Sequence, residues 1–248
     1  MKIVAIGGGE IGRPGFPVET TKIDKEIIRL TGKSKPKLLF IPTASSDSEG
    51  YAKVVEMHFG TNLGCKVDTL FLLKQKLSRN EIENKILNTD AIYVGGGNTL
   101  KMMNVWRKYG VDKILVKAGE KGVVLSGVSA GAICWFRSGS SDSRRFTDPK
   151  ADLIKVNGIN LVPALFCPHY DLEKDRKPDL KHLMEKTSGV AIALDNCCAI
   201  EIIDDMYRII SSKKTANAYR VYWNKGKFYE EAIERTTALL PLEGLLKK

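Results

Sequence analysis

The sequence predicts an α/β fold with a doubly wound, mostly parallel sheet and helices on both faces. Short apolar runs alternate with amphipathic segments of helical periodicity, which is the order that parallel strands and crossover helices produce. Several of these runs end in glycine-rich or polar turns, where open α/β sheets bind their ligands. No linker, repeat or low-complexity segment interrupts the chain, so we expect one domain over residues 1–248.

The predicted elements follow one another in a regular order. We expect strands at Lys2–Ile6, Lys37–Ile41, Cys65–Leu72, Ala91–Val94, Val123–Leu125, Leu165–Cys167 and Val190–Leu194. We expect helices at Ile23–Leu30, Ser48–Phe59, Ser78–Leu87, Leu100–Trp106, Val111–Ala118, Ala132–Phe136 and Pro178–Lys186. The helix that begins at Ser78 carries Glu81 three residues later, which is the pattern of a capping box.

Two regions depart from this alternation. The polar segment Arg137–Pro149 predicts a surface loop, and its place after the Ser129 helix would make it a wall of a site there. Residues 204–248 are a predicted antiparallel C-terminal extension. The short alternating segments in and just before this extension predict antiparallel edge strands at Ala199–Ile203, Tyr207–Ser211 and Ala218–Trp223.

Composition and charge exclude several classes of protein. No apolar stretch approaches the roughly 20 residues that span a bilayer, and no signal sequence precedes the first strand, so we expect a cytoplasmic protein without membrane contact. The net charge is +10, but the lysines are dispersed and form no basic run, which disfavours a nucleic-acid partner. The 5 cysteines lack zinc-ligand spacing and the 3 histidines are scattered, so we predict no metal and no cofactor.

The glycines in Gly7–Gly12 match the dinucleotide pattern G-x-G-x-x-G, but their context does not. Arg13–Pro17 follows where a phosphate-binding helix would begin. The strand Lys37–Ile41 ends without the carboxylate that binds a ribose. We therefore predict no nucleotide site at these glycines.

The segment Gly127–Gly131 fits the pattern G-x-S-x-G between a strand and a helix, and the pattern is informative in this context. Glycine at both ends allows a sharp bend that exposes the hydroxyl of Ser129 at its apex. The N–H of Ala130 and the start of the following helix would then face a developing oxyanion. Ser129 is the predicted nucleophile.

A serine nucleophile needs an adjacent base, and His169 is the best candidate. It directly follows the apolar strand Leu165–Cys167, whereas His58 and His182 fall inside helical patterns. Because parallel strands end at the same edge of a sheet, we expect His169 and Ser129 to meet there with the glycine-rich turn at Gly95–Asn98.

An acid that orients the imidazole would complete a triad, and the sequence leaves three candidates. Asp195 is first because it ends a buried strand, where a carboxylate needs a partner. Asp142 lies in the polar segment, and Asp171 could instead cap the next helix.

The chain resembles the peptidase E and cyanophycinase group of serine peptidases, which is peptidase family S51 with a class I glutamine amidotransferase-like fold. Val94–Thr99, Gly127–Ala132 and Pro168–Tyr170 carry the resemblance. It implies a nucleophile at Ser129, a base at His169, an acid at Asp142 or Asp195, an oxyanion hole from Gly96, Gly97 and Ala130, and substrate contacts from Asn98 and Arg176. The tail after Ile203 is longer than the family minimum, so we expect it to cover the site or to form the contact of a homodimer.

The leading hypothesis is a serine exopeptidase that hydrolyses small peptides, with the dipeptidase preference for N-terminal aspartate that the resemblance implies. An α/β esterase is an alternative, since Asp142 as the acid would satisfy its order of catalytic residues. A non-catalytic protein that binds a small ligand on the same fold is the third reading.

Overall fold

The computed structural model describes residues 1–172 and 174–248 and places their strands in two sheets. The strands are β1 Lys2–Ile6, β2 Lys37–Ile41, β3 Lys66–Thr69, β4 Ala91–Val94, β5 Val124–Val128, β6 Phe136–Ser141, β7 Ile154–Asn157, β8 Val162–Cys167, β9 Ala191–Leu194, β10 Cys198–Ile203, β11 Met206–Ser211, β12 Ala218–Asn224, β13 Lys227–Ala232 and β14 Leu240–Pro241. The α-helices are α1 Thr21–Leu30, α2 Glu49–Val55, α3 Arg79–Leu87, α4 Thr99–Tyr109, α5 Val111–Glu120, α6 Ala130–Ile133, α7 Arg176–Glu185 and α8 Leu242–Leu246. The predicted α/β class is confirmed.

The first sheet has the strand order β14-β11-β10-β1-β5-β4-β2-β3, and its strands from β1 to β3 are parallel. Apolar residues on one face, such as Val4, form one buried cluster with residues of α1 and α2 that include Ile27 and Val55. The other face packs with α3, α4 and α5. Helices on both faces are therefore confirmed for this sheet. None of the described helices has the length and apolar character needed to cross a bilayer.

The second sheet has the order β13-β12-β9-β8-β6-β7, so the strands do not form the single sheet that we expected. The cause lies in the connection after β5. A crossover between parallel neighbours takes a dozen or more residues, whereas only 129–135 separate β5 from β6. The chain cannot return to the first sheet over this distance, and β6 instead pairs with β7 and β8.

The strand β6 corrects two predictions, because helix α6 ends at Ile133 and Arg137–Pro149 is not a loop throughout. The serines at 138, 140 and 141 are at most 3% exposed. Two of the hydroxyls have side-chain partners inside the protein, since Ser140 Oγ donates to Asp179 at 3.3 Å and Ser141 Oγ donates to Thr99 Oγ1 at 3.1 Å. Polarity therefore does not indicate exposure in this segment. The part of 137–149 beyond β6 forms a 3₁₀ turn at Ser143–Phe146.

The C-terminal strands are antiparallel as predicted, but none of the three predicted edge strands lies at an edge. β10 lies between β1 and β11, β11 lies between β10 and β14, and β12 lies between β9 and β13. Residues 204–248 thus extend both sheets. Tyr170, next to the candidate base, donates a 2.7 Å hydrogen bond to Glu230 of this extension.

The capping box at Ser78 is confirmed, and it gives a prediction for stability. Ser78 Oγ accepts from the N–H of Glu81, and the Glu81 carboxylate accepts from the N–H of Ser78. Ser78→Ala should lower the free energy of unfolding by about 1 kcal/mol, because α3 loses its cap. Asn80→Ala is the matched control on the same turn, and urea titration compares the two. An equal loss in both variants would contradict the capping role.

Candidate active site

The candidate nucleophile Ser129 lies between β5 and α6 in a strained backbone conformation, with φ 55° and ψ −113°. Its N–H donates to the carbonyl of Ile6 at 3.0 Å. A Cβ on Gly131 would lie 2.6 Å from the carbonyl carbon of Val94, so only glycine lets the turn pack against β4. The elbow is therefore held between β1 and β4, and strain of this kind is typical of functional sites.

The candidate base His169 meets Ser129 as the sequence predicts. His169 follows β8 with φ 53°, and its N–H donates to the carbonyl of Gly7 at 3.0 Å. The imidazole Nε2 lies 2.8 Å from Ser129 Oγ. With Nε2 as acceptor, the serine hydroxyl donates to the imidazole, which is the arrangement of an activated nucleophile and its general base.

The third partner of this pair is Asn196. Its side-chain Oδ1 lies 2.6 Å from His169 Nδ1. An imidazole that accepts the serine proton at Nε2 carries its own proton on Nδ1, so His169 donates to the Asn196 oxygen. A neutral amide in this place holds the tautomer and the ring orientation, as asparagine does in papain-like Cys-His-Asn sites.

Asp195 does not contact the imidazole, which corrects the expectation that it completes the triad. Its carboxylate accepts from the N–H of Asn217 at 2.8 Å, and burial raises the pKa of this carboxyl. β9 ends at Leu194, and in the turn that follows it is Asn196, the residue after Asp195, whose side chain meets His169. The sequence did carry a signal, since an amide beside the strand-end acid is also an acceptor.

The other two candidate acids also lie away from the imidazole nitrogens, which Ser129 and Asn196 occupy. Asp171 is exposed, and its carboxylate accepts from the N–H of Asn196 at 2.9 Å. It therefore supports the turn that carries Asn196. Asp142 starts the 3₁₀ turn, where its carbonyl accepts from the N–H of Arg145.

The glycine-rich turn after β1 forms the floor under the histidine. A Cβ on Gly8 would lie 2.6 Å from His169 Cε1 and would also overlap the Asn196 side-chain oxygen. The carbonyl of Gly8 accepts from the N–H of Cys197 at 2.8 Å. The glycine is thus explained by the close approach of two side chains, without a nucleotide.

Of the three amides expected in an oxyanion hole, two have free N–H groups. Among the described residues, the N–H groups of Gly97 and Ala130 form no hydrogen bond to another backbone group. Gly96 lies beside Ser129, but its N–H faces the hydroxyl of Tyr51, whose pKa burial raises to about 12. Gly97 and Ala130 are therefore the better candidates.

The two predicted substrate contacts are used elsewhere in the fold. Asn98 caps α4, with Oδ1 accepting from the N–H of Lys101 at 2.9 Å and Nδ2 donating to the carbonyl of Ser143 at 3.0 Å. Arg176 is 1% exposed and donates to the carbonyl of Ser140 at 3.0 Å. Neither residue lines the cavity above Ser129.

That cavity has a volume of about 1030 Å³ and opens above Ser129 and His169. One wall is the segment 10–16 and the other is a face of helix α2 that continues to Met57. Sequence reasoning missed both walls, although 10–16 follows a strand end directly. Of the described residues, none from 204–248 lines the cavity, so the extension does not cover the site as one expectation had it. No described group of three or more His, Cys, Asp and Glu side chains is arranged to hold a metal ion.

Comparison with known proteins shows the family of the chain. A sequence model described as "Peptidase family S51" matches residues 3–210. The chain belongs to this family. It is similar to the uncharacterized peptidase YgaJ of Bacillus subtilis (strain 168), with 37% identity over 89% of this chain and 91% of that protein. It is 30% identical to peptidase E of Nostoc sp. (strain PCC 7120 / SAG 25.82 / UTEX 2576) over 59% of this chain and 57% of that protein.

Solved structures show the same fold. The crystal structure of a peptidase from an acI-B1 Actinobacterium matches with a TM-score of 0.73 and 18% identity, over 97% of this chain and 96% of that one. A putative peptidase E protein from Listeria monocytogenes EGD-e matches with a TM-score of 0.63 and 21% identity, over 85% of this chain and 98% of that one. At these identities the likeness extends to the fold alone, and the S51 assignment rests on the family match.

The contact between His169 and Asn196 predicts that Asn196, and not the adjacent Asp195, orients the imidazole. Asn196→Ala should lower kcat on the order of 100-fold with a smaller change in KM, because the imidazole loses its acceptor. Asn196→Asp keeps an acceptor and should restore most of the loss. Asp195→Asn is the matched control and should keep kcat within the wild-type order of magnitude. A larger loss in Asp195→Asn than in Asn196→Ala would show that Asp195 is the orienting residue.

Asp195→Asn should also change how stability depends on pH. Burial raises the pKa of Asp195 above its ordinary value of 3.8, so the folded state binds this proton more tightly than the unfolded state does. The stabilisation that protonated Asp195 contributes is complete below the ordinary pKa and is lost as the pH rises through the pKa of Asp195 in the folded state. Denaturant titrations at several pH values should therefore show that the free energy of unfolding falls less between acid and neutral pH for Asp195→Asn than for wild type. An equal fall in the two proteins would contradict the raised pKa of Asp195.

Proposed function

We propose that this S51 peptidase hydrolyses short peptides through an acyl-enzyme on Ser129. The contact of 2.8 Å between Ser129 Oγ and His169 Nε2 carries the proposal. Ser129 Oγ attacks the peptide carbonyl while His169 Nε2 takes its proton. Gly97 lines the cavity with Ser129, and Ala130 follows Ser129 in the chain, so their N–H groups would stabilise the oxyanion.

The second half of the reaction uses the same groups in reverse. His169 gives the proton to the leaving amine as the C–N bond breaks, which leaves the ester on Ser129. Water then attacks the ester, its proton goes to Nε2, and the acid product leaves as Ser129 Oγ regains its proton. Asn196 Oδ1 accepts a hydrogen bond from Nδ1–H throughout and keeps the ring in place.

We propose an exopeptidase, and specifically a dipeptidase that accepts N-terminal aspartate, because relatives bear the name peptidase E. Arg176 is buried under β6 in the structure, so a cation at the cavity would have to recognise the aspartyl group. The 5 cysteines are buried thiols, which is consistent with the cytoplasmic location that we propose.

Ser129→Ala tests the mechanism. It should lower the turnover of dipeptides roughly 10⁴-fold or more, because the nucleophile is lost while binding is kept. The assay measures amino acids released from a panel of Asp-Xaa and Xaa-Leu dipeptides, with a p-nitrophenyl ester included. Unfolding midpoints of both proteins control for folding. Equal hydrolysis by the variant would overturn the mechanism, and cleavage of the ester alone would favour an esterase.

A further inference from the structure

Three charged side chains line the cavity besides His169, and they divide between its two walls. Glu10 and Arg13 belong to residues 10–19, which we call the flap. The flap is closed by the bridge between Ile11 and Val18 and by a 2.7 Å hydrogen bond from the N–H of Glu19 to the carbonyl of Glu10. Lys53 lies on the α2 wall.

The carboxylate of Glu10 is fully used inside the flap. Its Oε1 accepts from the N–H groups of Ile11, Gly12 and Arg13 at 2.9 to 3.1 Å. Its Oε2 accepts from Arg13 Nε at 2.6 Å. Burial opposes ionisation, but these hydrogen bonds and the Arg13 charge outweigh it and lower the pKa of Glu10. Glu10 is therefore ionised, and its carboxylate stabilises the flap through these hydrogen bonds instead of binding a ligand.

The same contacts fix the guanidinium of Arg13 in one place. Nε and Nη2 bind Glu10, and the guanidinium carbon lies 5.1 Å from the centre of the Phe16 ring. The side chain is still 65% exposed, so its remaining N–H donors face solvent. A guanidinium held at one edge and exposed at the other is well suited to bind a second carboxylate.

Lys53 is a cation without an ion pair among the described residues. It is exposed and lies one turn before Met57 on the face of α2 that lines the cavity. The large apolar side chains of Phe16 and Met57 are 57% and 58% exposed, one on each wall. Both side chains line the cavity, so each wall offers apolar surface to a ligand beside its cation.

We propose that Arg13 and Lys53 bind a carboxylate of the peptide substrate, while Phe16 and Met57 contact an adjacent apolar side chain. This proposal rests on the peptidase function and names its specificity residues. Two sources supply the same chemistry in a dipeptide such as Asp-Leu, namely the aspartyl side chain and the C-terminal carboxylate. Recognition of the C-terminal carboxylate would restrict a cavity of about 1030 Å³ to short peptides, whereas recognition of the aspartyl side chain would restrict the residue type.

The test measures binding to the Ser129→Ala protein by calorimetry, so that it does not depend on hydrolysis. The ligands are Asp-Leu, Asn-Leu and Asp-Leu amide, and the added change is Lys53→Met. We expect Lys53→Met to weaken the binding of Asp-Leu about 10-fold or more, because a charged contact is lost. Lys53→Arg should restore the affinity. Lys113→Met, on the exposed side of α5, is the matched control and should change nothing.

The two neutral ligands identify the carboxylate. Weaker binding of Asn-Leu, with no further loss in Lys53→Met, assigns the cations to the aspartyl side chain. The same result with Asp-Leu amide assigns them to the C-terminus. Equal binding of all three ligands, or an equal loss for all three in Lys53→Met, would overturn the proposal. If the wild type cleaves no peptide but the Ser129→Ala protein binds the ligands in the expected pattern, the carboxylate site is supported and the peptidase function is overturned.

Discussion

Both members of the nucleophile–base pair depend on the end of a single strand. The carbonyl of Ile6 accepts the N–H of Ser129, and the next carbonyl, that of Gly7, accepts the N–H of His169, each at 3.0 Å. β1 is buried and paired on both sides, so these two peptide groups are held firmly. Since both residues have positive φ, their backbones need such external support to keep a conformation that costs free energy. The contact between serine and histidine is therefore set by the sheet more than by either loop.

The elements that follow a local rule could be predicted, and the ones that depend on distant partners could not. The Ser78 capping box needs only residues three apart, and the buried strands of the first sheet are continuous apolar runs. β6 contains serines, and its burial follows from hydroxyl partners such as Thr99 and from pairing with β8. No pattern within the segment states that these partners exist. The split into two sheets has the same origin, because it depends on the short connection after Ser129.

The site divides in the same way. Ser129 and His169 were found because each follows a strand end within a recognisable pattern. Asn196 could not be distinguished by charge, because the imidazole requires only an acceptor and an amide oxygen supplies one as well as a carboxylate does. Arg176 has the charge that a carboxylate needs, but the packing of α7 against β6 uses it inside the protein. The glycines before the flap indicated only a nucleotide pattern whose context does not fit. Their role depends on distant residues, because Gly8 allows His169 and Asn196 to approach the backbone of this turn.

Because the catalytic residues come from both sheets, activity depends on how the two sheets are placed relative to each other. Ser129 ends a strand of the first sheet, whereas His169 and Asn196 follow strands of the second. The proton that moves between Ser129 Oγ and His169 Nε2 thus passes from a residue of one sheet to a residue of the other. A displacement that lengthens the distance between Ser129 Oγ and His169 Nε2 by about 1 Å would take this 2.8 Å contact out of hydrogen-bond range, while the strand pairing within each sheet could stay intact. Hydrolysis would then stop long before spectroscopy detected any loss of secondary structure.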